Sequence, residues 1–538
     1  MELSFLPTLA LATFVVLAVG YGISGLDDLV FDVVYWVRRT LFGRPFRPVP
    51  LTRLDALAER RFAIFVPAWH ESAVIEEMMA RHIQTIDYGA YDVFVGTYPN
   101  DPETQAAADR AAAASPRVHK CVCPDPGPTT KADNLNAMLA VMEQREAATG
   151  LRYDAVVLHD AEDLVHPYEL KLVNLHLTLE TADMIQTPIL PVRVGLKAFT
   201  QGTYMDQFAE CQTKDMHVRG WVGGFVPSCG VATTLSRAAI EALRASHPEN
   251  LAFDPGSLTE DYEIGLKLRL AGLRGVFVRQ QVDADRPVLG DREPERWVAT
   301  RSEFPDRFST SMRQRARWSL GIVFQGWQRN GWPGRLVDRW LLFHDRKAAW
   351  TYPLVLVGYV FLAALVAYSA VRTYLVPDLV PVHLLAQAPW IWWTLLGLAA
   401  LMVNRLAQRA IAVGRIYGVA HAVVAVARQP WDNAINLGAL FRAARQFRQS
   451  VRDGKAPAWD KTQHHVPEAV QPALAPLEIT APLPAPLRVT TRTTTGLSLV
   501  RVVSEAGLTS DLDVVAPSTV APVRLAAPDP APPAAPPA

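Results

Sequence analysis

The sequence predicts an α/β domain that is attached to membrane-spanning and interfacial α-helices. Two observations carry this prediction. After residue 60, continuous apolar segments of β-forming residues alternate with helical patterns, which is typical of a parallel sheet covered on both faces. In addition, three uncharged stretches are long enough to cross a bilayer, which takes about 20 residues.

The composition agrees with a chain that has a globular part and a membrane part. The 538 residues include 53 basic and 53 acidic side chains, so no overall charge favours nucleic acid as a partner. Half of the residues are hydrophobic. Four cysteines are too few for a disulfide framework, and "HKCVC" has no second CxxC, so buried thiols are favoured over a zinc site.

The predicted membrane segments also predict an orientation. Residues 1–27 are expected to form an N-terminal transmembrane helix, and residues 348–404 two more. Residues 28–60 mix apolar and basic side chains, which predicts a helix lying on the membrane surface. Basic residues flank the spans on one side, whereas the linker "VPDLVPVHLLAQAP" has none, so residues 28–347 are expected in the cytoplasm.

Residues 61–347 are predicted to form the α/β domain. Its first three strands, "FAIFVPAW", "YDVFVGTYP" and "YDAVVLHD", each precede a helical pattern. Ligands of open α/β sheets bind beyond the carboxyl ends of the strands. The polar segments 69–71, 97–101 and 160–163 are therefore the first places to look for a site.

The chain beyond the third span is predicted to have two parts. Residues 405–466 are expected to form interfacial or amphipathic helices, because a fourth crossing at 410–427 would move the basic "FRAARQFRQSVR" outside. Residues 467–538 shift to Pro, Ala, Val and Thr. That composition predicts a disordered tail with at most a short β element near 487–505.

Three acidic residues, Asp160, Glu162 and Asp163, directly follow a buried strand in "VVLHDAEDLVHP". Carboxylates this close repel one another unless a cation lies between them, and hard divalent ions take such oxygen ligands. The alternative is a solvated acidic turn or a helix cap. The residues alone leave both interpretations open.

Two further elements carry charged candidates. In "TEDYEIGLKLRLAG", Asp261 could act as a general base near an acceptor hydroxyl, or Thr259 and Glu260 could merely begin a helix. In "TTKADNLNAML", Lys131 opens a helical pattern. A lysine at a helix start suits a phosphate, although a solvated surface lysine is equally common.

The order of these elements is more specific than any one of them. "VPAWHE", "TTKADNLN", "HDAED", "TEDYE" and "QRARW" precede the second membrane span in that order. Over roughly residues 1–465 the chain resembles the membrane-bound family 2 glycosyltransferases, which include cellulose and hyaluronan synthases. The stretch "RQPWDNAINLGALFRAARQFRQSVRDGKAPAWDKTQHHVP" is similar to bacterial inner-membrane members from exopolysaccharide systems.

This resemblance implies a GT-A domain, a Rossmann-like nucleotide-diphospho-sugar transferase fold, and an inverting sugar transfer that uses Mg²⁺ or Mn²⁺. It assigns Pro67, Glu71 and Asp101 to the nucleoside, Lys131 to the diphosphate, Asp160 with Glu162 or Asp163 to the metal, Glu260 and Asp261 to catalysis, and Gln314, Arg317 and Trp318 to the QxxRW element. "GTYPND" departs from the acidic "DDGS"-like ending of the family, and Glu162 stands where the family has Asp. Arg313 and Arg315 lie off the pattern and are interpreted as membrane-facing charge.

The resemblance also implies the partners: a nucleotide-diphosphate sugar donor, a growing glycan or lipid-linked acceptor, the lipid bilayer and an envelope export partner. The expected location is the bacterial inner membrane, with several spans and a cytoplasmic catalytic domain. Two alternatives remain open at this point. One is a non-catalytic membrane scaffold of an envelope glycan or phage-receptor complex, and the other is a transferase that adds one sugar to a lipid carrier.

Overall fold

The computed structural model describes residues 6–43, 47–283, 297–379 and 389–453, and the backbone of three strands between 488 and 512. The chain divides into two compact units, Met1–Leu477 and Glu478–Ala538, and each is described by itself.

A seven-stranded sheet forms the centre of the first unit. Across the sheet, its strands are β4 (Val118–Val122), β3 (Tyr91–Thr97), β2 (Phe62–Pro67), β5 (Ala155–Leu158), β8 (Thr233–Ser236), β6 (Met184–Gln186) and β9 (Gly275–Phe277). Two smaller sheets pair β1 (Val49–Pro50) with β10 (Val282–Asp283), and β7 (Ile189–Pro191) with β11 (Thr300–Ser302).

Sixteen helices in the described residues accompany these strands: α1 (Leu6–Leu41), α2 (Leu51–Asp55), α3 (Ile75–Thr85), α4 (Pro102–Ala114), α5 (Lys131–Thr149), α6 (Glu169–Leu179), α7 (Phe199–Glu210), α8 (Met216–Trp221), α9 (Arg237–Ser246), α10 (Glu260–Leu270), α11 (Phe308–Ser319), α12 (Gly326–Asn330), α13 (Leu336–Arg346), α14 (Ala348–Tyr374), α15 (Pro389–Tyr417) and α16 (Val419–Asp453). A π-helical turn, Cys211–Asp215, joins α7 to α8, and a second, Leu320–Gln325, joins α11 to α12.

The sheet is buried on both faces, as the continuous apolar strands predict. Successive side chains of a strand point to opposite faces. In β2, Ile64 and Val66 therefore join one hydrophobic core, which includes side chains of α3 and α6, whereas Ala63 and Phe65 join a second core with side chains of α5 and α9. The predicted α/β architecture is confirmed.

One strand departs from the expected parallel arrangement. β8 runs antiparallel to both β5 and β6, with Thr233 opposite Leu158. The preceding loop crosses the carboxyl edge of the sheet, where the Gly230 carbonyl accepts a hydrogen bond from Lys131. A strand that starts from this edge must run back across the sheet, which accounts for its direction.

Three helical segments are long and apolar enough to cross a membrane, judged by length and composition: Leu6–Leu41, Leu336–Tyr374 and Trp390–Tyr417. The first two pack closely, since a Cβ at Gly20 would lie 2.3 Å from Leu354 Cδ1. The Tyr21 hydroxyl also donates a hydrogen bond of 3.1 Å to the Leu354 carbonyl. Small residues commonly permit such close approach between membrane helices.

The structure corrects the predicted boundary at residue 27. α1 continues unbroken to Leu41, so no separate interfacial helix begins at 28. The prediction treated Asp27 and Asp28 as the end of an apolar span. Lys347 offsets both charges, with Nζ 2.7 Å from Asp27 Oδ2 and 2.5 Å from Asp28 Oδ1, and Arg405 contacts Asp28 as well. With their charges paired, these aspartates do not end the helix.

The boundary after the third span also differs from the prediction. α15 continues beyond Asn404 to Tyr417 and stops at Gly418, whose φ of 90° is accessible to glycine at little cost. Segment 410–427, predicted to be interfacial or packed against the spans, is divided at this turn. α16 then packs against α7, α11 and α15.

The second unit contains a three-stranded antiparallel sheet: β12 (Arg488–Thr494), β13 (Leu497–Val503) and β14 (Thr509–Leu512). β12 and β13 lie within the range 487–505, where a short β element was predicted, and β14 lies beyond it. The rest of the tail between 467 and 538 lies outside the described residues.

A buried ion pair fastens α16 to α7. Arg428 is 0% exposed, and its Nε and Nη2 lie 2.8 and 2.6 Å from the two carboxylate oxygens of Asp206. Gly202 makes room for this guanidinium, because a Cβ there would lie 2.5 Å from Arg428 Nη1. Removing one member of such a pair leaves an uncompensated buried charge.

Arg428→Met is therefore expected to destabilise the protein by about 3–5 kcal/mol, because Asp206 loses its partner. Thermal unfolding in detergent micelles measures the effect. Arg445→Met, at an exposed position of the same helix, is the matched control and should change stability by only about 0.5 kcal/mol. Equal shifts in the two variants would contradict the assignment.

Candidate active site

The candidate site lies at the carboxyl edge of the large sheet. β2, β3 and β5 are parallel and in register, with Pro67 opposite Gly96 and Phe65 opposite Leu158. The polar segments that follow these strands therefore leave the sheet at the same edge, where open α/β sheets bind ligands.

Lys131 and Asp160 form an ion pair at this edge. Lys131 is the first residue of α5, whose start is fixed by a capping box: the Thr130 side chain accepts from Asp133 N at 3.2 Å, and the Asp133 carboxylate accepts from Thr130 N at 2.9 Å. The Lys131 ammonium lies 2.5 Å from Asp160 Oδ1. It also donates to the Gly230 carbonyl at 3.2 Å.

Glu260 and Asp261, in the first turn of α10, join the same group of charges. A Cβ at Gly230 would lie 2.6 Å from Asp261 Oδ2, so this glycine lies between the lysine and the second acidic pair. Burial and the neighbouring Asp261 raise the pKa of Glu260 to about 8. Burial also raises the pKa of Asp261, with Lys131 opposing the shift and Asp160 adding to it.

The charges at this edge fit a divalent cation. Burial opposes the charged form of Lys131, but Asp160, Glu260 and Asp261 outweigh that effect and raise its pKa. One ammonium thus faces three carboxylates that destabilise one another's charged forms. Mg²⁺ and Mn²⁺ prefer oxygen ligands, and here the carboxylates outnumber the single ammonium group beside them. Asp160 and Glu162 could hold such an ion.

Asp163, by contrast, is buried in the core beneath the turn formed by residues 160–163. One carboxylate oxygen accepts from Asp160 N at 2.8 Å and lies 3.4 Å from His159 Nδ1, and the other accepts from the Ser302 hydroxyl. Both oxygens therefore hold the turn in place. This arrangement favours Glu162 as the partner of Asp160.

A network of buried polar side chains beneath residues 160–163 stabilises this turn. His159 Nε2 lies 3.1 Å from Glu169 Oε1, and the other oxygen of Glu169 accepts from the Thr300 hydroxyl at 2.7 Å. Burial opposes the imidazolium, but Glu169 and Asp163 raise the pKa of His159 to about 10. His159 and Glu169 could not be recognised from the sequence, because a histidine after a strand carries no signal by itself.

A separate group, Asp27, Asp28 and His344, brings possible ligand atoms within 4.8 Å of one another. The Lys347 ammonium contacts both aspartates, and His344 Nδ1 lies 2.6 Å from Asp27 Oδ2. These contacts offset the negative charge, so this group joins helices and is not a candidate metal site.

The residues assigned to the nucleoside follow β2 and β3. Asp101 is the N-cap of α4, and its carboxylate accepts from His70 N at 2.6 Å and from Thr104 N at 3.3 Å. Glu71 N donates to the Thr104 hydroxyl at 3.0 Å. Asp101 therefore holds the turn that contains Glu71, just after Pro67 ends β2.

Two aromatic rings line this end of the edge. Trp69 and Tyr98 pack edge to face, with ring centroids 4.8 Å apart. Gly127 lies against the indole, since a Cβ there would come within 2.5 Å of Trp69 Cζ3. Asn100 fixes this glycine, donating to its carbonyl at 2.6 Å and accepting from its N–H at 2.7 Å. From the sequence, Trp69 and Tyr98 are recognisable only as members of the polar segments 69–71 and 97–101.

The QxxRW element lies in the second half of α11. Trp318 packs against Tyr204 and Phe208, with ring centroids 6.1 and 6.2 Å away. Phe208 in turn packs against Val231, next to Gly230 in the chain. Within the described residues, the buried Gln314 Oε1 has no hydrogen-bond partner, and Arg317 is partly exposed.

The π-helical turn Leu320–Gln325, which follows the QxxRW element, packs against the segment that precedes Glu260. A Cβ at Gly321 would lie 2.4 Å from Thr259 Oγ1, and Gln325 accepts from Leu258 N at 3.0 Å. Thr259 is the N-cap of α10 but makes no side-chain capping hydrogen bond. Helix capping therefore does not explain this threonine, whose side chain contacts the end of the QxxRW helix.

The interpretation of Arg315 as membrane-facing charge is wrong. Arg315 is 3% exposed, and its Nη1 lies 2.6 Å from Asp432 Oδ1 while its Nη2 donates to Thr203 Oγ1 at 2.6 Å. The guanidinium also lies 4.4 Å from the Tyr204 ring centroid. Arg313 is exposed.

Residues 59–321 match the family described as "Glycosyltransferase like family 2". The chain is 40% identical over 467 residues to Bacteriophage adsorption protein B of Escherichia coli K12 and, to the same extent, to Bacteriophage N4 adsorption protein B of Escherichia coli O157:H7. The match covers 84% of this chain and 62% of those proteins, so the chain spans less than two thirds of their length.

Solved structures were also matched. A mannosyltransferase from Pyrobaculum calidifontis, in complex with GDP-Man and Mn²⁺, has a TM-score of 0.45 and 17% identity, over 79% of this chain and 99% of that chain. Glucosyl-3-phosphoglycerate synthase from Mycobacterium tuberculosis, in complex with Mn²⁺, UDP and glucosyl-3-phosphoglycerate, has a TM-score of 0.27 and 20% identity, over 45% of this chain and 77% of that chain.

Gly230→Ala is expected to destabilise the protein more than Gly223→Ala. Both glycines have positive φ, 73° and 71°, so both substitutions carry a backbone strain of about 1–2 kcal/mol. Only the alanine at 230 would also displace Asp261, because nothing lies within 4 Å of a Cβ at Gly223. Thermal unfolding compares the two, and equal melting temperatures would contradict the close contact between Gly230 and Asp261.

Proposed function

We propose that this chain, whose residues 59–321 match the family described as "Glycosyltransferase like family 2", moves a sugar from a nucleotide-diphosphate sugar to a growing glycan or lipid-linked acceptor. The transfer inverts the anomeric carbon. The observation that carries this proposal is the convergence of Lys131, Asp160 and Asp261, from three separate segments, at one edge of the sheet.

Asp261 is the general base of the proposed reaction. As the acceptor hydroxyl oxygen bonds to the anomeric carbon, its proton passes to the Asp261 carboxylate, and the bond from that carbon to the diphosphate oxygen breaks. The raised pKa of Asp261 suits this role, because a carboxylate of higher pKa is the stronger base. Asp160 adds to that raised pKa, and Glu260 precedes Asp261 in the first turn of α10.

The departing nucleoside diphosphate requires positive charge. Lys131 and Arg317 are proposed to face it, and Asp160 with Glu162 would hold Mg²⁺ or Mn²⁺. When bound, such a cation offsets the charge that gathers on the leaving group. The Lys131 ammonium lies 2.5 Å from Asp160 Oδ1, which places it beside the proposed metal ligands.

The two ends of the site would bind different parts of the substrates. Pro67 and Glu71 border the nucleoside, with the turn between them held by Asp101. At the other end, Trp318 offers an aromatic face to an acceptor sugar. The buried Gln314 oxygen could accept a hydrogen bond from a sugar hydroxyl, which would satisfy a group that has no partner among the described residues.

We further propose that the chain is a multi-pass protein of the bacterial inner membrane with its transferase domain in the cytoplasm, where it acts in exopolysaccharide synthesis with an envelope export partner. The distribution of basic residues around three apolar helices supports this orientation. The names of the matched relatives connect them with phage adsorption, which suits an envelope glycan.

Asp261→Asn is expected to lower sugar transfer by about 10²–10⁴-fold, because the acceptor hydroxyl loses its proton acceptor. The measurement is release of nucleoside diphosphate by purified protein from a panel of nucleotide sugars with Mg²⁺. Asp109→Asn, at a carboxylate that is 59% exposed, is the matched control and should retain activity. Normal turnover by a folded Asp261→Asn variant would overturn the base assignment.

Asp160→Asn and Glu162→Gln are each expected to weaken Mn²⁺ binding at least about tenfold, as measured by electron paramagnetic resonance. Asp163→Asn should instead lower the melting temperature, because it disrupts the buried contact with His159. Unchanged Mn²⁺ binding in the first two variants would contradict the metal assignment. Unchanged glycan production by an Asp160→Ala strain would favour the non-catalytic scaffold.

A further inference from the structure

One face of α1 carries an exposed apolar pattern that repeats every seven residues. Ten positions, separated alternately by three and four residues, are all exposed, and nine of them are apolar: Leu9, Ala12, Val16, Val19, Ile23, Leu26, Val30, Val33, Val37 and Thr40. This spacing is the a and d pattern by which two helices pack into a left-handed coiled coil. These ten positions are called the α1 seam.

The side of α1 opposite the seam is covered by the chain's own membrane helices. Phe14 and Ala18 are buried and pack with Phe361 of α14 and Ile391 of α15. In the part of the chain that the structure describes, α14 and α15 belong to the other two segments that are apolar enough to cross a membrane. Both therefore lie away from the seam.

The seam is longer than the apolar part of a bilayer. From Leu9 to Thr40 it extends over about 46 Å at 1.5 Å per residue, whereas the hydrocarbon core is about 30 Å thick. Asp28 contacts Lys347, which directly precedes α14, and Arg405, which follows the apolar half of α15. These charges mark one end of the membrane-spanning part of α1.

The seam continues past these charges, beside the α/β domain. Val30, Val33 and Val37 are 47%, 51% and 46% exposed. On the other side of this part of α1, Asp32 Oδ1 lies 2.5 Å from the ammonium of Lys214, in the π-helical turn after α7. Lipid tails cannot cover valines at this level, and a contiguous exposed apolar patch commonly marks a protein interface.

The composition of the seam suits a second copy of the same helix. Four of its five a positions are β-branched, as is typical of parallel two-stranded coiled coils: Val16, Ile23, Val30 and Val37. Two copies in one membrane have the same orientation, so a two-fold axis along the membrane normal pairs their α1 helices in parallel. No seam position is charged, and Arg38 and Arg39 lie off the seam, so like charges do not face each other.

The surface available on the seam is also of the right size. Eight of its side chains are 46% to 61% exposed. Burying them in two copies would remove on the order of 1,000 Å² of surface, which approaches the roughly 1,200–2,000 Å² of stable interfaces before flanking side chains contribute.

We propose that the α1 seam is a dimer interface, at which a second copy of this chain packs its own α1 in parallel. Close packing stabilises the part within the membrane, and burial of the three valines from water stabilises the part beyond it. This interface is separate from the candidate active site, and the proposal does not depend on sugar transfer.

The first test is disulfide cross-linking of the full-length chain in cell membranes. Val33→Cys, at a d position, is expected to form a disulfide-linked dimer on oxidation, because the two Val33 positions face each other across the two-fold axis. Arg38→Cys, exposed on the same helix but off the seam, is the matched control and should not cross-link. The wild type controls for the four native cysteines.

The second test measures the strength of the pairing. Val33→Glu places two like charges opposite each other and should raise the dimer dissociation constant at least about tenfold, as measured by energy transfer between labelled copies in lipid vesicles. Arg38→Glu should leave the dissociation constant unchanged. Since Val33 lies beyond the membrane-spanning part of α1, its substitution does not place a charge among lipid tails.

Three results would overturn the proposal. Absence of a Val33→Cys dimer would mean that lipid or another segment of the same chain covers the seam. Equal cross-linking of Val33→Cys and Arg38→Cys would indicate random collision. A disulfide between Val33→Cys and a different membrane protein would replace the second copy with another partner.

Discussion

One buried carboxylate, that of Asp432, joins the α/β domain to α15, a helix that is long and apolar enough to cross a membrane. Arg315 of the QxxRW helix lies 2.6 Å from one of its oxygens, and Arg409 of α15 lies 3.3 Å from the other. Gln207 of α7 donates to the same group at 3.2 Å. Because a buried carboxylate is stable only with its partners in place, these helices are held in one arrangement, which also fixes the positions of Arg317 and Trp318 on α11.

The sequence is informative where the signal is local. Asp160 follows a continuous apolar strand and Asp261 opens a helix after a threonine, and both patterns could be recognised from adjacent residues. Ion pairs and hydrogen bonds between residues far apart in the chain could not be recognised from the sequence. Arg315 has its partner 117 positions away, and Asp163 is turned into the core by Ser302, 139 positions away. For the same reason the end of the first membrane helix was misplaced at Asp27, whose charge is offset by Lys347, 320 positions later.

Because Gly321 has no side chain, the two helices on either side of it approach each other closely, and this limits how the candidate site can change in evolution. The backbone of the π-helical turn touches Thr259 directly, so the gap between the helix that carries Trp318 and the helix that carries Asp261 is already at its minimum. Moving these helices closer together would make Gly321 clash with Thr259. On the roles proposed above, moving them apart would separate the Asp261 base from an acceptor at Trp318, so acceptor preference would change through side-chain identity at a fixed helix spacing.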